Sequence, residues 1–334
     1  MESSKKNIKP IILKIFKELL SHYESLGKKG NYLTRFKIDS YRKAIKSIED
    51  FKNPIYSATD VKDLPFIGKS FYEKINNISK TGTLNTYENI IKNTKYKSIK
   101  LFQSIWGIGA QYAQKIVNLG IFTINDLKKA IKNNKITLTQ PQMLGLKYYN
   151  DLSKKIERNE ITYYTEIIKQ LIENDNIKVY NAGSYRSNKK YSGDIDLIIS
   201  YNSKSKNVQN IFYEKLKEEN IIRDVLSFGK EKNMFIVKLP ETYSKNFIPK
   251  IKYYRKVDVA FVEEKYIPYY LLYFGSSRDF SKKIRIIASK LGYKLNEKGL
   301  YDKETGLRIN FNPSSEKEIF TYLNIEYVKP ENRV

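Results

Sequence analysis

Residues 178–200 read KVYNAGSYRSNKKYSGDIDLIIS and contain two strand-like stretches, KVYNA and DIDLIIS, on either side of a polar, glycine-containing loop. In the second stretch, the period of two of a β-strand places Asp194 and Asp196 on one face and the isoleucine and leucine side chains on the other. Two neighbouring carboxylates repel each other unless a cation lies between them. The stretch therefore predicts a divalent metal, and hard oxygen ligands favour Mg²⁺. A plain turn before a strand and a calcium loop are the alternatives.

A third carboxylate, Asp258, interrupts the strand-like stretch RKVDVAFV at residues 255–262, where the apolar side chains face the opposite way. Three carboxylates can hold two metal ions roughly 3.5–4 Å apart, one beside an attacking hydroxyl and one beside a triphosphate. We expect Asp258 on the side of the hydroxyl. Upstream, the backbone of Gly183, the Ser184 hydroxyl and the Arg186 cation are predicted to hold the triphosphate.

Two segments of the first half of the chain match each other: LPFIGKSFYEKI at residues 64–75 and IWGIGAQYAQKI at residues 105–116. Each has an apolar-x-x-apolar-Gly turn followed by a helical pattern, which is typical of a helix-hairpin-helix whose backbone N–H groups grip a DNA phosphate. An ordinary helical turn with a glycine at its end is the alternative. Phe66 stands where the second copy has Gly107, so we expect the first turn to be less tight.

The composition favours a polyanionic partner. The 334 residues include 61 Lys and Arg against 36 Asp and Glu, a formal net charge of +25, which attracts nucleic acid. Anionic membranes also attract basic proteins, but no apolar run approaches the roughly 18 residues of a spanning helix. The chain has no cysteine and one histidine, so a thiolate or histidine zinc site is not expected. The N-terminus MESSKKNIKP lacks an apolar signal region, which predicts an intracellular protein that is not secreted.

With these motifs in hand, the chain resembles the family X DNA polymerases, and within them the polymerase beta type. GSYRSNKKYSGDID is similar to the family's catalytic block, and RKVDV resembles its third-carboxylate strand. The likeness covers nearly the whole chain and includes the two hairpins and four further stretches: MLGLKYYNDLSKKI (143–156), LSFGKEKNMFIVKLP (226–240), YFGSSRDFSKKIR (273–285) and SEKEIFTYLNIEYVKPENR (315–333).

The resemblance implies a set of nucleotide contacts. The family's sugar-gating position falls on Tyr273 and Phe274, and its template-side test of the new base pair falls on Arg285. The remaining implied nucleotide-binding residues are Lys155, Gly183, Ser184, Arg186, Gly193 and Ser277. The chain departs from the family pattern at Lys155 and Ser187, where arginines are usual, which predicts weaker triphosphate contacts. Ser281 replaces a base-contacting asparagine, and Gly275 and Ser276 rearrange the usual Thr-Gly turn.

The resemblance also implies a second activity. Lys74 stands at the family's Schiff-base position for removing a 5′-deoxyribose phosphate, and a neutral amine there requires nearby cations to depress its pKa. An exposed helical lysine without such a role is the alternative. Phe36 and Ser70 depart from the family's histidine and lysine in the 5′-phosphate pocket, and Lys69 is a substitute one residue earlier. The implied DNA-binding residues are Lys37, Tyr41, Lys62, Gly68, Gly107, Gly109, Lys232 and Lys256.

The family's hairpins bind a monovalent cation, Na⁺ or K⁺, through backbone carbonyls. By position these ligands fall on Lys62, Leu64 and Ile67 in the first hairpin and on Gln103, Ile105 and Ile108 in the second. At the catalytic carboxylates the resemblance implies two Mg²⁺ ions, with Mn²⁺ as the alternative metal.

The expected fold class is α+β, with a helical lyase module at 1–90, a helical DNA-binding segment at 91–152, a mixed-sheet palm at 153–262 and a nucleotide-selecting α/β module at 263–334. The expected activity is gap filling in base-excision repair. Expected partners are gapped or nicked DNA and dNTPs, bound by a monomer that works with a repair ligase or scaffold, in the nucleus, cytoplasm or an organelle. An untemplated or RNA-tailing nucleotidyltransferase and a noncatalytic DNA-binding scaffold are the rival functions.

Overall fold

The structure is a computed structural model that describes residues 7–26, 32–202, 205, 207–245, 247 and 251–333. Most of the N-terminal stretch on which the secretion prediction rests, Met1–Lys6, lies outside the described residues. The chain divides into two compact units, Met1–Leu146 and Lys147–Val334. Helices dominate the first unit and a mixed sheet lies in the second, so the predicted α+β class is confirmed.

Eight α-helices lie in the described part of the first unit, the last of them ending at its boundary: α1 Lys9–Ser25, α2 Tyr32–Asp50, α3 Lys69–Thr81, α4 Asn85–Lys92, α5 Thr94–Gln103, α6 Ala110–Asn118, α7 Ile124–Lys132 and α8 Gln140–Lys147. In α1, the apolar residues Ile12, Ile15, Phe16 and Leu19 recur with helical spacing and are all buried. They join one core with buried side chains of α2 and α3. The helical reading of this half of the chain is thereby confirmed.

The two hairpin turns have the same backbone conformation. Phe66 has a left-handed φ of 65° and Gly107 one of 85°, and the following glycines, Gly68 and Gly109, are extended N-caps of α3 and α6. Each turn closes with one short-range bond, from Ile67 N to Leu64 O (3.1 Å) and from Ile108 N to Ile105 O (3.0 Å). The expectation of a less tight first turn was wrong, because Phe66 adopts the conformation that glycine adopts in the second copy.

The described part of the second unit contains eight further α-helices and nine strands. The helices are α9 Tyr149–Leu152, α10 Arg158–Ile172, α11 Gly183–Arg186, α12 Val208–Glu218, α13 Glu241–Ser244, α14 Ile267–Phe274, α15 Arg278–Lys290 and α16 Glu316–Tyr322. The strands are β1 Ile156–Glu157, β2 Ile177–Asn181, β3 Tyr191–Ser192, β4 Ile195–Tyr201, β5 Ile222–Phe228, β6 Lys232–Val237, β7 Arg255–Glu263, β8 Tyr293–Asn296 and β9 Gly299–Asp302.

A five-stranded sheet with the order β2-β4-β7-β6-β5 forms the centre of this unit. The neighbouring strands β4 and β7 are parallel, and the other neighbouring pairs are antiparallel. The apolar sides of the strands pack with α10 and α12 in a core that includes Tyr164, Leu197, Phe212 and Val257. Because β4 and β7 are central and buried on this side, their polar positions are held rigidly on the other.

None of the helices in the described ranges has the length and apolar character needed to cross a bilayer.

Candidate active site

Three carboxylates meet at the parallel pair β4–β7. Asp194 directly precedes β4, Asp196 is its second residue, and Asp258 lies opposite Asp196 in the register of the two strands. One oxygen from each of the three lies within 4.8 Å of the others. Within the described residues, no other group of three acidic, histidine or cysteine side chains comes as close together. The parallel register thus brings together the three residues that the sequence pattern selected.

Burial and mutual repulsion dominate the electrostatics of this cluster. Burial, followed by the charges of Asp194 and Asp258, raises the pKa of Asp196 to about 7. Burial likewise raises the pKa of Asp258, although a neighbouring lysine opposes the shift. Three converging hard oxygens whose charges repel one another are a ligand set that fits Mg²⁺ or Mn²⁺. The chemistry of these three side chains therefore fits a divalent metal ion.

Lys256, predicted to contact DNA, lies instead among the carboxylates. Its ammonium is 2.9 Å from Oδ2 of Asp194 and donates a short hydrogen bond to Oδ1 of Asp258. The side chain is only 13% exposed. In this conformation Lys256 supplies the positive charge that balances the cluster, and its amine is engaged by protein groups.

The predicted phosphate loop begins beside Asp196. Gly183 has a φ of 53°, and a Cβ at this position would lie 1.9 Å from Oδ2 of Asp196. Only glycine fits there without displacing the carboxylate. Ser184 donates from its hydroxyl to Oγ of Ser192 at 2.6 Å. The ammonium of Lys155 lies 4.0 Å from the position of a Cβ on Gly193, so it stands beside the turn that leads into the carboxylates.

Arg186, predicted to contact the triphosphate, is engaged elsewhere in this conformation. Its guanidinium pairs with the carboxylate of Glu316 through both terminal nitrogens and donates to the carbonyl of Leu271 at 3.2 Å. Glu316 is only 6% exposed and also pairs with Arg333. The structure therefore ties Arg186 to α14 and α16 and does not bring it to the carboxylates.

An open cavity borders the cluster and is lined by Asp196, Asp258, Lys232 and Phe274, among others. The Lys232 ammonium lies 4.3 Å from the centre of the Phe274 ring. Phe274 packs edge-on against Tyr273 at 4.9 Å. The predicted sugar-gating pair is thus placed so that one ring faces the cavity that the carboxylates share.

Two further predicted nucleotide contacts lie beside α14 and α15. The Arg285 guanidinium is 5.4 Å from the centre of the Tyr273 ring, and both residues line a second, much smaller pocket. Ser277 is the N-cap of α15, where its hydroxyl accepts from the Phe280 N–H at 3.1 Å. The Ser277 side chain therefore caps a helix, a role that the sequence analysis did not predict.

The predicted lyase residue lies on α3 in the first unit. The Lys74 ammonium bonds to the carbonyl oxygen and, at short range, the hydroxyl of Ser70, and it lies 5.3 Å from the centre of the Phe71 ring. Burial lowers the pKa of Lys74, the charge of Glu73 opposes that shift, and Lys37 adds to it. A partly buried amine near a second cation is the setting that favours a neutral, nucleophilic lysine.

The surroundings of Lys74 contain two more predicted residues. Tyr41 is buried and packs edge-on against Phe71 at 5.0 Å, while Lys37 lies 5.0 Å from the centre of the Tyr23 ring. Phe36, the departure from the family's histidine, is 61% exposed. Lys37 and Tyr41 are therefore linked to Lys74 by a series of contacts between aromatic rings: Lys37 lies over Tyr23, Tyr23 packs on Tyr41, Tyr41 packs on Phe71, and Lys74 lies over Phe71.

The predicted monovalent ligands are backbone carbonyls of equivalent hairpin positions. The carbonyls of Leu64 and Ile105 each accept the hydrogen bond that closes their turn, and a carbonyl oxygen keeps a second lone pair for a cation. Lys62 directly follows the 3-10 helix Ala58–Val61, and Gln103 is the last residue of α5.

Sequence reasoning missed two buried ion pairs that hold this site. One is Arg186 with Glu316. The other joins Arg255, at the start of β7, to Glu160 on α10 through two hydrogen bonds of 2.7 and 2.8 Å. In neither pair does the local sequence point to the partner, because the two residues lie on elements that are distant along the chain. The alternating pattern of RKVDV indicated Asp258, but it gave no indication of Glu160 as a partner of Arg255.

Four family models match successive parts of the chain. They are a helix-hairpin-helix domain at residues 7–84, the fingers domain of DNA polymerase lambda at 100–153, the DNA polymerase beta palm at 155–264 and the DNA polymerase beta thumb at 270–334. Their order along the chain is the order in which the hairpins, the carboxylates and the Tyr273 region occur.

Curated relatives agree with these models. The chain is 29% identical over 96% of its length to DNA polymerase lambda of Arabidopsis thaliana and 25% identical over 88% to DNA polymerase lambda of Rattus norvegicus. It is 27% identical over 88% to the DNA polymerase type-X family protein pol4 of Schizosaccharomyces pombe. The chain spans 61%, 52% and 59% of these relatives. With four models in order and these relatives, the chain belongs to the family X DNA polymerases.

Proposed function

We propose that this protein is a DNA-directed DNA polymerase that fills short gaps in DNA with dNTPs. The observation that carries the proposal is the convergence of Asp194, Asp196 and Asp258, with Gly183 packed against Asp196. The matches to the palm, fingers and thumb of family X polymerases support the same substrate class. The four modules are proposed at 1–90, 91–152, 153–262 and 263–334.

In the proposed reaction, the three carboxylates hold Mg²⁺, with Mn²⁺ as the alternative. When bound there, a divalent ion lowers the pKa of an adjacent hydroxyl and offsets the charge of a triphosphate. Asp258 accepts the proton of the primer 3′-hydroxyl, whose oxygen attacks the α-phosphate of the dNTP, and pyrophosphate leaves. Ser184 and Lys155 contact the triphosphate, because both lie beside the glycine turns that border the carboxylates.

Nucleotide selection is proposed to depend on the rings of Tyr273 and Phe274. Phe274 lines the cavity that Asp196 and Asp258 share. A ring in the path of a ribose 2′-hydroxyl excludes ribonucleotides by steric clash. This arrangement favours a DNA polymerase over an RNA-tailing enzyme.

A second activity, removal of a 5′-deoxyribose phosphate, is proposed for Lys74. Its amine attacks the C1′ aldehyde of the sugar, water leaves, and an imine forms. Loss of a proton from C2′ then breaks the C3′–O bond and releases the strand with a 5′-phosphate. Water hydrolyses the remaining sugar imine and frees the Lys74 amine. The lowered pKa of Lys74 supports this role, because burial and Lys37 both favour the neutral amine.

One substrate tests both activities: a gapped duplex that carries a 5′-deoxyribose phosphate, with Mg²⁺ and dNTPs. We expect Asp196→Ala to slow primer extension by about 10³-fold or more, since it removes a metal ligand, while a borohydride-trapped adduct still forms. We expect Lys74→Ala to lose the adduct and to keep extension. The trapped fraction should increase with pH and reach half its maximum below the ordinary lysine pKa of 10.5.

Matched controls are the exposed residues Asp175→Ala for the carboxylate and Lys80→Ala on the same helix for the amine. Neither change should alter extension or trapping. A wild-type protein that extends primers but never forms the adduct would contradict the lyase proposal alone. A wild-type protein that does not extend would contradict the polymerase proposal.

A further inference from the structure

Phe66 has an unusual backbone conformation for its residue type. Six non-glycine residues of the described chain have positive φ, and the other five are all asparagine, which tolerates this region: Asn134, Asn188, Asn207, Asn220 and Asn324. At the matching position of the second hairpin the chain has Gly107. A phenylalanine with a φ of 65° is strained, so some interaction is expected to offset the strain.

That interaction is not found in the hydrophobic core. The Phe66 side chain is 60% exposed, while the next residue, Ile67, is buried. The Lys43 ammonium lies 5.4 Å from the centre of the ring, an exposed cation–π pair of small effect. Packing therefore gives no reason for a large aromatic side chain where glycine would adopt the turn without strain.

The position of the ring suggests its partner. Phe66 lies two residues before Gly68, the N-cap of α3, and no side chain caps this helix. The first backbone N–H groups of α3 are therefore free of a side-chain partner, at the turn for which the sequence pattern predicts a DNA phosphate. A ring that projects from the same turn lies within reach of the nucleotide to which that phosphate belongs.

We propose that Phe66 stacks on a base exposed at the edge of a gap and so makes the first hairpin selective for interrupted DNA. This inference rests on the proposed function, in which α3 also carries Lys74 and meets the strand end that bears the 5′-phosphate. In an intact duplex every base face is covered by its neighbours, whereas a gap exposes base faces at its edges. An aromatic side chain gains from such a face whatever the base is.

The test compares binding of the 334-residue chain to a gapped duplex and to the intact duplex of the same sequence, with 2-aminopurine as the base at the gap edge that bears the 5′-phosphate. Phe66→Gly should weaken binding to gapped DNA by about tenfold, within the range for one base stacked on one ring. Binding to intact duplex should not change. The quenching of 2-aminopurine fluorescence by wild type should be lost.

Two further variants separate stacking from bulk and from folding. Phe66→Trp should keep the preference for gapped DNA, and Phe66→Leu, which keeps the strain and an apolar side chain, should lose it. Phe66→Gly should melt at the wild-type temperature or above, since it relieves the left-handed strain, so weaker binding cannot result from unfolding.

The proposal is overturned if Phe66→Gly keeps the preference for gapped DNA, or if it weakens binding to both duplexes equally. It is also overturned if wild type shows no preference or if Phe66→Leu binds like wild type. If the preference depends on an aromatic residue at this position but wild type adds no nucleotide, the stacking role stands and the polymerase proposal fails. Binding and primer extension are thus read separately.

Discussion

Asp196 lies between two other carboxylates, and its raised pKa links the stability of the metal-free protein to pH. An unfolded aspartate loses its proton near 3.8, whereas Asp196 in the folded protein keeps it up to about 7. The folded state therefore holds the extra proton between these values, and the free energy of unfolding decreases as pH rises through this window. Above pH 7 Asp196 is charged in the folded protein, and the free energy of unfolding is lowered by the full cost of that buried charge.

Asp196→Asn removes that cost. We expect the metal-free variant to be more stable than wild type at pH 8 by roughly 2–4 kcal/mol and the difference to disappear below about pH 4. Urea unfolding in the presence of a chelator measures both. Asp175→Asn, at an exposed position, should show no such difference. Equal stability of wild type and Asp196→Asn at pH 8 would show that the carboxylate is not held at a raised pKa.

At the scale of elements, the parallel pairing of β4 with β7 and the tight start of α11 create the site together. Gly183 allows α11 to begin against Asp196, since a Cβ there would lie 1.9 Å from a carboxylate oxygen. Gly183→Ala should therefore displace Asp196 as well as strain the backbone. We expect a loss of at least about 100-fold in primer extension and a lower melting temperature.

Gly292→Ala is the matched control, because Gly292 has a φ of 85° and open space around a Cβ. It should cost about 1–2 kcal/mol of stability from the left-handed conformation alone and leave primer extension unchanged. If Gly183→Ala and Gly292→Ala behave alike in both measurements, the contact with Asp196 has no part in the reaction.

At the scale of the whole molecule, the net charge of +25 governs the proposed association with DNA. Each phosphate neutralised by a lysine or arginine releases counterions, so affinity falls steeply as salt rises. With six or more phosphates contacted, we expect binding to gapped DNA to weaken by about 10³-fold between about 50 and about 200 mM salt. Fluorescence anisotropy titrations over this range give the slope.

Phe66→Gly removes no charge and should show the wild-type slope even where its affinity is lower. A slope near zero for wild type would mean that affinity does not come from the basic surface. A changed slope in Phe66→Gly would mean that the ring acts through the placement of charged groups.

The sequence determined what depends on local pattern. The period of two placed Asp194 and Asp196 on one strand face, and the repeated apolar-x-x-apolar-Gly motif located both hairpins, because these signals lie within a few neighbouring residues. Tertiary structure alone decided which strands pair. It set Asp258 opposite Asp196, placed Lys256 between carboxylates, and tied Arg186 to Glu316. It also set the left-handed backbone conformation of Phe66, which glycine adopts at the matching position of the second hairpin. Pairing of distant elements depends on packing across the whole unit, and no local pattern encodes it.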